Sequence, residues 1–342
     1  MKALVFHGDH DLRYEEVPLP GIGDQEVLIK VKAVGICGSD VHGYEGKSGR
    51  RTPPMIMGHE FSGIVERTGG RVETAKPGDR VAVFPFATCG HCGFCRKGAV
   101  NQCAHRRFLG VFDVNGAMAE FVAVRQELLY SLPDGADYAV GALIEPLSVA
   151  ARAVSKADIQ PGDTVTIIGA GTIGLLCLIL AEAKRPKLRV AVDVMDRRLS
   201  VARQLGADFT FNPKDNDASQ FISEKLAGGA DVVIEAVGIE KTVQESMRWV
   251  ATGGKVAIVG LSQRMMSLDM HEIVSKEVKI EGSFLYDRFE FEAILQRLSA
   301  LRASLERLIS LRAPLSGGVE LFKRLARMDE DLVKVILTDE NG

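Results

Sequence analysis

The chain has 342 residues, of which 46% are hydrophobic and 25% charged, with a formal net charge of -3. That length suits two domains better than one core. The composition is that of a soluble globular enzyme, and the slight negative charge gives no case for nucleic acid or an anionic membrane as a partner. The opening residues, MKALVFHGDHDLRYEE, hold no apolar stretch of signal-peptide length. The longest apolar run, at 174–183, is too short to span a bilayer. A cytoplasmic protein is expected.

The first third reads as β: LVF, EVLIKVKAVG, FSGIVER and DRVAVFPF are short and β-branched, broken by turn signals such as PGIGDQE and KPGD. From 139 to 155 the texture becomes small and helical. QPGDTVTIIGAGTIGLL then opens a strand–turn–helix unit, and apolar strands follow at LRVAVDV, ADVVIEAVG, GKVAIVG and VKIEGSF. The helical stretches RRLSVARQLGA and KTVQESMRWVA lie between them, an alternation that implies a parallel sheet with both faces covered. The remainder, 286–342, reads as helix ending in the strand-like LVKVILT. The expected class is α/β, a β-rich domain joined to a doubly wound nucleotide-type domain.

Gly169, Gly171 and Gly174 fit G-x-G-x-x-G between a buried strand and an apolar helix. The first glycine permits a tight turn, the second lets a pyrophosphate approach, and the third lets helix and strand close up. The helix start at Thr172 and Ile173 offers free N–H groups to phosphate. Asp193 ends the second strand, nineteen residues after Gly174. A carboxylate there suits both adenosine ribose hydroxyls and repels a 2′-phosphate, which favours NAD over NADP. Arg197 and Arg198, close by, are alternative receivers of a 2′-phosphate.

Four of the six cysteines crowd together as Cys89, Cys92, Cys95 and Cys103, a C-x2-C-x2-C-x7-C run. Four thiolates on one loop suit tetrahedral zinc and leave no open position, so a structural site is expected. An iron–sulfur cluster also takes four thiolates, but the usual ferredoxin spacing differs. His91 within the loop is expected to face solvent. A second constellation is dispersed: Cys37 in GICGSDVH, His59 and Glu60 in MGHEF, and Glu145 in ALIEPLSV. Brought together, a thiolate, an imidazole and a carboxylate would hold a catalytic zinc with a position left for water or substrate.

In GICGSDVH, GHEFSGIV, PGDRVAV, the four-cysteine loop and GAGTIG, in this order, the chain resembles the zinc-containing medium-chain dehydrogenases/reductases over essentially its whole length. The resemblance implies a GroES-like catalytic domain at 1–147, a Rossmann domain at 148–285 and a segment at 286–342 that returns to the catalytic domain, with the active site in the cleft. ALIEPLSV is similar to the sorbitol and polyol dehydrogenases, since ethanol-type relatives carry a cysteine where Glu145 falls. Carried over, the catalytic zinc ligands become Cys37, His59 and Glu60, with Glu145 reaching zinc through water or directly; the choice between Glu60 and Glu145 stays open. The resemblance further implies NAD contacts from Ile173, Asp193 and Arg198, nicotinamide contacts from Val259, Gly260 and Leu261, and closure by Ser283, Phe284 and Leu285.

The implied reaction oxidises a secondary hydroxyl of a polyol, with Ser39 and His42 as a proton relay to solvent and Asp40 supporting the metal ligands. Two departures matter. Gly43 stands where sorbitol dehydrogenases place a substrate-touching tyrosine, with Tyr44 one later, and Leu285 replaces an arginine before Tyr286. Galactitol, other alditols, aldonates and alditol phosphates therefore stay open as substrates, as do threonine and simple alcohols. Lys47, Arg50 and Arg51 are read as decorating a solvated loop, with phosphate or carboxylate binding as the alternative. A non-enzymatic zinc and nucleotide sensor would lack the Cys37, His59, Glu60 and Glu145 set; a zinc-free reductase would lack the cysteine loop as well. The resemblance implies a dimer or tetramer, with the homotetramer favoured.

Overall fold

A computed structural model describes residues 1–328 and 332–339. The chain opens with β1 (Lys2–Gly8), β2 (Asp11–Glu16) and β3 (Glu26–Ile36), followed by α1 (Gly38–Tyr44), β4 (Met55–Ile56), β5 (Glu60–Thr68) and β6 (Arg80–Val83). The cysteine loop lies between β7 (Phe86–Ala87) and β8 (Arg107–Phe108) and contains α2 (Gly93–Arg96). β9 (Phe121–Arg125), β10 (Leu129–Ser131), α3 (Tyr138–Ala142) and α4 (Ile144–Ala157) complete this stretch. Next come β11 (Thr164–Ile168), α5 (Thr172–Ala181), β12 (Leu188–Val192), α6 (Asp196–Gln204), β13 (Phe209–Phe211) and α7 (Ala218–Leu226). β14 (Ala230–Glu235), α8 (Glu240–Trp249), β15 (Val250–Ile258), α9 (Met270–Ser275) and β16 (Lys279–Gly282) follow. The last elements are α10 (Arg288–Leu308), β17 (Ile309–Pro314), α11 (Gly318–Arg327) and β18 (Lys334–Thr338).

Two compact units result. One takes Met1–Glu145 and the described residues from Asp287 onward; the other takes Pro146–Tyr286. In the first, a sheet runs β10-β6-β5-β3-β18-β17, with β9 also on β3. β3, EVLIKVKAVGI, is buried almost throughout, as a central strand must be. β5 lies antiparallel along one edge of it from Val27 to Gly35. The other edge is shared by β9 at Glu26–Lys30 and β18 at Ala33–Ile36. Both functional sequence segments grow from this sheet: Cys37 follows β3, and His59–Glu60 opens β5.

The second unit is a six-stranded sheet of order β13-β12-β11-β14-β15-β16, every pairing parallel. Its central strand, TVTII, is wholly buried. Val190, Phe211, Val233, Trp249, Val250 and Val256 form a core on it. The β-rich plus parallel α/β class expected from the sequence is the class observed. The 286–342 stretch departs from its helix-then-strand reading: ISLRAP, six residues between helices, forms β17 and pairs parallel to β18. A strand so short, with no continuous apolar run, carries too weak a period to be separated from its helical flanks.

Candidate functional site

The four-cysteine loop closes on itself. Cys92 caps α2, its sulphur accepting the Cys95 N–H at 3.4 Å. The Sγ–Sγ separations are 3.8 Å for Cys89–Cys95, 3.5 Å for Cys92–Cys95 and 3.6 Å for Cys89–Cys103. A tetrahedron of thiolates around zinc, with bonds of about 2.3 Å, has edges of about 3.8 Å, so the donor set fits the ion. His91 is exposed and turns its Nδ1 to the Cys89 carbonyl at 2.7 Å, away from the sulphurs' task. The backbone N–H groups of His91 and Cys92 lower the Cys89 thiol to about 6. Burial and neighbouring thiols raise Cys95 to about 11. Cys89 and Cys95 are thus pushed in opposite directions by the same crowded loop.

The second cluster gathers Cys37, His59 and Glu60, whose ligand atoms lie within 4.8 Å of one another. Cys37 is the extended N-cap of α1, its sulphur accepting the Ser39 N–H, while Asp40 reaches back to the Cys37 N–H at 3.2 Å. The His59 ring lies edge-on to Phe108, which stacks on Phe86. Its Nδ1 is 3.6 Å from Asp40 Oδ1. Burial, then the carboxylates of Glu60 and Asp40, push the Cys37 thiol up to about 12. A sulphur beside two carboxylates is held neutral unless a cation joins it; thiolate, imidazole and carboxylate are a donor set that zinc takes. Glu145 is buried near the start of α4 but is not one of the three converging donors.

Ser39 Oγ is 3.4 Å from Cys37 Sγ, and Ser39 is exposed. His42 is half-buried in the last turn of α1. Among the described residues no hydrogen bond joins the two. Lys47 is exposed and pairs with Glu45, and Arg50 is exposed, as expected. Arg51 corrects its reading as a solvated-loop residue: the side chain is 2% exposed and donates to Asp40 Oδ1 at 2.8 Å. Lys334 was not singled out by the sequence. It is buried, and its Nζ reaches Glu60 Oε2 and the Ile36 carbonyl.

In the second unit the dinucleotide candidates all sit just past the carboxyl ends of parallel strands, where such sheets bind ligands. The glycine turn follows β11, Asp193 follows β12, Val259–Leu261 follow β15 and Ser283–Leu285 follow β16. A Cβ on Gly174 would run into the Gly169 carbonyl, whereas one on Gly171 would meet nothing within 4 Å. Gly171, the N-cap of α5, therefore leaves an open face at the helix start and has no side chain to cap it. The arrangement fits a pyrophosphate. Asp193 accepts the Ala170 N–H at 2.7 Å and the Met195 N–H at 2.9 Å, and Arg198 Nη1 lies 3.9 Å away. Val259 and Gly260 donate to the Glu235 carbonyl, Ser283 donates to that of Ile258, Leu261 and Phe284 are exposed, and Leu285 adopts a φ of 52°.

Residues 23–134 match the alcohol dehydrogenase GroES-like domain, and residues 172–300 match the zinc-binding dehydrogenase domain. A sorbitol dehydrogenase of Bacillus subtilis (strain 168) is 39% identical over 291 residues, 84% of this chain and 82% of that one. Among solved structures, a zinc-binding dehydrogenase of Sinorhizobium meliloti 1021 bound to NADP superposes with a TM-score of 0.91 at 32% identity, covering 98% of each chain. An alcohol dehydrogenase of Escherichia coli CFT073 complexed with NADH gives a TM-score of 0.91 at 28% identity, covering 99% of each. The chain belongs to the zinc-containing medium-chain dehydrogenase/reductase family, and is an oxidoreductase of the zinc-binding alcohol dehydrogenase type.

Proposed function

We propose that the chain oxidises a secondary hydroxyl of a polyol, sugar alcohol or related sugar derivative to the ketone, with NAD as hydride acceptor. The observation that carries this reading is the convergence of Cys37, His59 and Glu60 within 4.8 Å of one another. Three protein donors leave a position for a substrate oxygen, and we assign them to a catalytic zinc, with Cys89, Cys92, Cys95 and Cys103 on a structural one. The polyol class is supported by Glu145 and by the match to a sorbitol dehydrogenase. NAD is supported by Asp193 past β12.

When bound, zinc supplies a Lewis acid that acidifies the substrate hydroxyl, and the nicotinamide accepts the hydride. The residues do the rest. Cys37 and Glu60 would hold the ion through a thiolate and a carboxylate, and His59 through a ring nitrogen. Asp40 steadies both Cys37 and His59. Ser39, beside Cys37, would accept the hydroxyl proton as it releases its own toward His42 through an intervening hydroxyl or water, and His42 would give a proton to solvent. Glu145 holds water or substrate near the ion. Gly169, Gly171, Thr172, Ile173 and Gly174 seat the pyrophosphate, Asp193 and Arg198 the adenosine ribose, and Val259–Leu261 with Ser283–Leu285 the nicotinamide half.

The catalytic domain is assigned to 1–147 and 286–342, and the nucleotide domain to 148–285. A homotetramer is the proposed assembly, supported by exposed apolar side chains at Met270, Val274 and Ile280 on α9 and the β16 edge. A cytoplasmic setting is supported by four sulphurs gathered as a metal set rather than paired as disulfides. No described helix is long and apolar enough to cross a membrane.

The test is a substrate panel with zinc-loaded protein: sorbitol, galactitol, xylitol, ribitol, aldonates, alditol phosphates, threonine and ethanol, each with NAD and NADP. Reduction of NAD by an alditol is the expected result. Turnover of threonine or ethanol alone would discard the polyol class, and light scattering of the purified protein checks the tetramer.

A further inference from the structure

Arg51 lies in a run of basic loop residues, yet its guanidinium is turned inward. Nη2 donates to Asp40 Oδ1 at 2.8 Å and reaches Ser39 Oγ at 3.5 Å, and Nη1 donates to the Arg50 carbonyl at 3.2 Å. Asp40 has no exposed surface. Its Oδ2 accepts the Cys37 N–H, and its Oδ1 also faces His59 Nδ1 at 3.6 Å. One buried carboxylate therefore spans two of the three converging donor residues, and the guanidinium of Arg51 is the permanent positive charge set against it. A buried carboxylate that loses such a partner does not keep its place: it turns toward water.

The room for Arg51 comes from residue 43. A Cβ on Gly43 would lie 2.8 Å from Arg51 Cγ and 3.4 Å from its Nε. The 2.8 Å approach is closer than real Cβ atoms come, so the arginine stem must shift before a larger residue at 43 can be seated. Gly43 is itself buried in α1, three residues after Asp40 and therefore on the same face of the helix.

We propose that Gly43 and Arg51 are a matched pair that positions the catalytic metal site. The missing side chain at 43 admits the arginine, the arginine fixes Asp40, and Asp40 fixes Cys37 and His59. Arg51 is thus a positioning residue and not a binding group for an anionic substrate; the inference rests on the catalytic zinc assigned above. It also gives Gly43 a role of its own: the glycine leaves the space in which the metal site is braced.

The experiment counts zinc. Wild-type protein, Arg51→Gln, Arg51→Lys, Gly43→Leu and the double variant Gly43→Leu with Arg51→Gln are loaded with zinc, freed of excess metal and titrated with a chelator. Wild type is expected to hold two zinc ions per chain. Arg51→Gln and Gly43→Leu are expected to release one of them about 10- to 100-fold more readily, the loss usual when a residue supporting a metal ligand is removed. The double variant should lose no more than either single one, because both act on the same contact. Arg51→Lys, which keeps the charge, should recover part of the loss. The ion on the four-cysteine loop is retained throughout and reports that each variant is folded.

Two tightly held ions in both Arg51→Gln and Gly43→Leu would overturn the pairing. So would a KM increase confined to carboxylate- or phosphate-bearing substrates with both ions kept, which would make Arg51 a substrate group. A wild type that holds only the cysteine-loop ion would instead remove the catalytic zinc assignment, and this inference with it.

Discussion

Lys334 and Glu60, 274 residues apart in the chain, form a salt bridge sealed from water, their side chains 1% and 2% exposed. A second polar contact of the ammonium is the Ile36 carbonyl, at 3.1 Å and next to Cys37. Burial alone would lower the lysine. The charge of Glu60 and its hydrogen bond to the ammonium outweigh it and hold the lysine above its ordinary range. Gly35 makes the pairing possible, since a Cβ there would collide with the Glu60 carboxylate and crowd Lys334. A cation placed in this way shares Glu60 with whatever metal the donor cluster holds.

Replacing Lys334 by Met keeps the stem and removes the charge. The metal-free variant is expected to lose about 3–5 kcal/mol of stability, the cost of stranding one member of a buried ion pair. Zinc should restore more stability to the variant than to wild type, because Glu60 is then free to serve the ion. Denaturant melts with and without zinc check both statements, and equal zinc responses would contradict the shared role of Glu60.

Changing Cys92 to Ser removes one corner of the sulphur tetrahedron and the cap of α2. One zinc per chain should be lost, with a fall in Tm of roughly 10 °C, as a loss of about 3–4 kcal/mol produces in a domain of this size. Metal analysis and calorimetry read the two effects. A variant that keeps both ions would exclude the loop as a metal site.

The raised thiol of Cys37 sets a pH dependence. Its pKa is about 12 in the folded metal-free chain against an ordinary value of 9.0. A folded pKa above the unfolded one gives stability that is complete below the unfolded value and lost as pH rises toward the folded value. Metal-free protein should therefore weaken between about pH 9 and 12. Cys177, buried and also raised to about 12, adds the same trend in both forms, and Cys95, raised to about 11, adds it to the metal-free form, so the comparison is made in a Cys37→Ser background as well. Zinc-loaded protein should weaken less over this range, because its Cys37 is already a thiolate. Thermal melts at pH 8 to 10 test the difference between the two forms, and parallel curves would count against Cys37 as a ligand.

Asp193 both receives two backbone N–H groups and faces the position assigned to the adenosine ribose. Asp193→Ser should raise the KM for NAD about tenfold, which is the worth of about 1.4 kcal/mol, and narrow the preference over NADP. Steady-state kinetics with both nucleotides decide it. An unchanged ratio would place cofactor choice elsewhere.

Much of the site was legible because its chemistry is local. The cysteine run gathers its own four sulphurs, and the glycine turn is read between strand and helix. The contacts that escaped are those made across the fold. Lys334 meets Glu60 only because β18 pairs with β3 beside Cys37, and no pattern around Lys334 announces that. Arg51 looked like one of several loop cations; its burial depends on an empty position at Gly43. β17 was hidden between two helices because six residues are too few to establish a strand period. Periodicity finds elements that bury a face, and motifs find groups that act together within one loop, but neither finds a partner brought in by a distant strand.

The central claim is that Cys37, His59 and Glu60 hold the zinc at which a polyol is oxidised. The most direct measurement pairs zinc content with NADH formation from an alditol in wild type and in Cys37→Ser, with the four-cysteine loop intact in both. Wild type is expected to hold two zinc ions and to form NADH with the alditol. Cys37→Ser is expected to show one zinc ion, retained fold and turnover lower by at least about a hundredfold, as loss of a metal that acidifies the substrate hydroxyl entails. Two zinc ions and undiminished turnover in Cys37→Ser would contradict the claim.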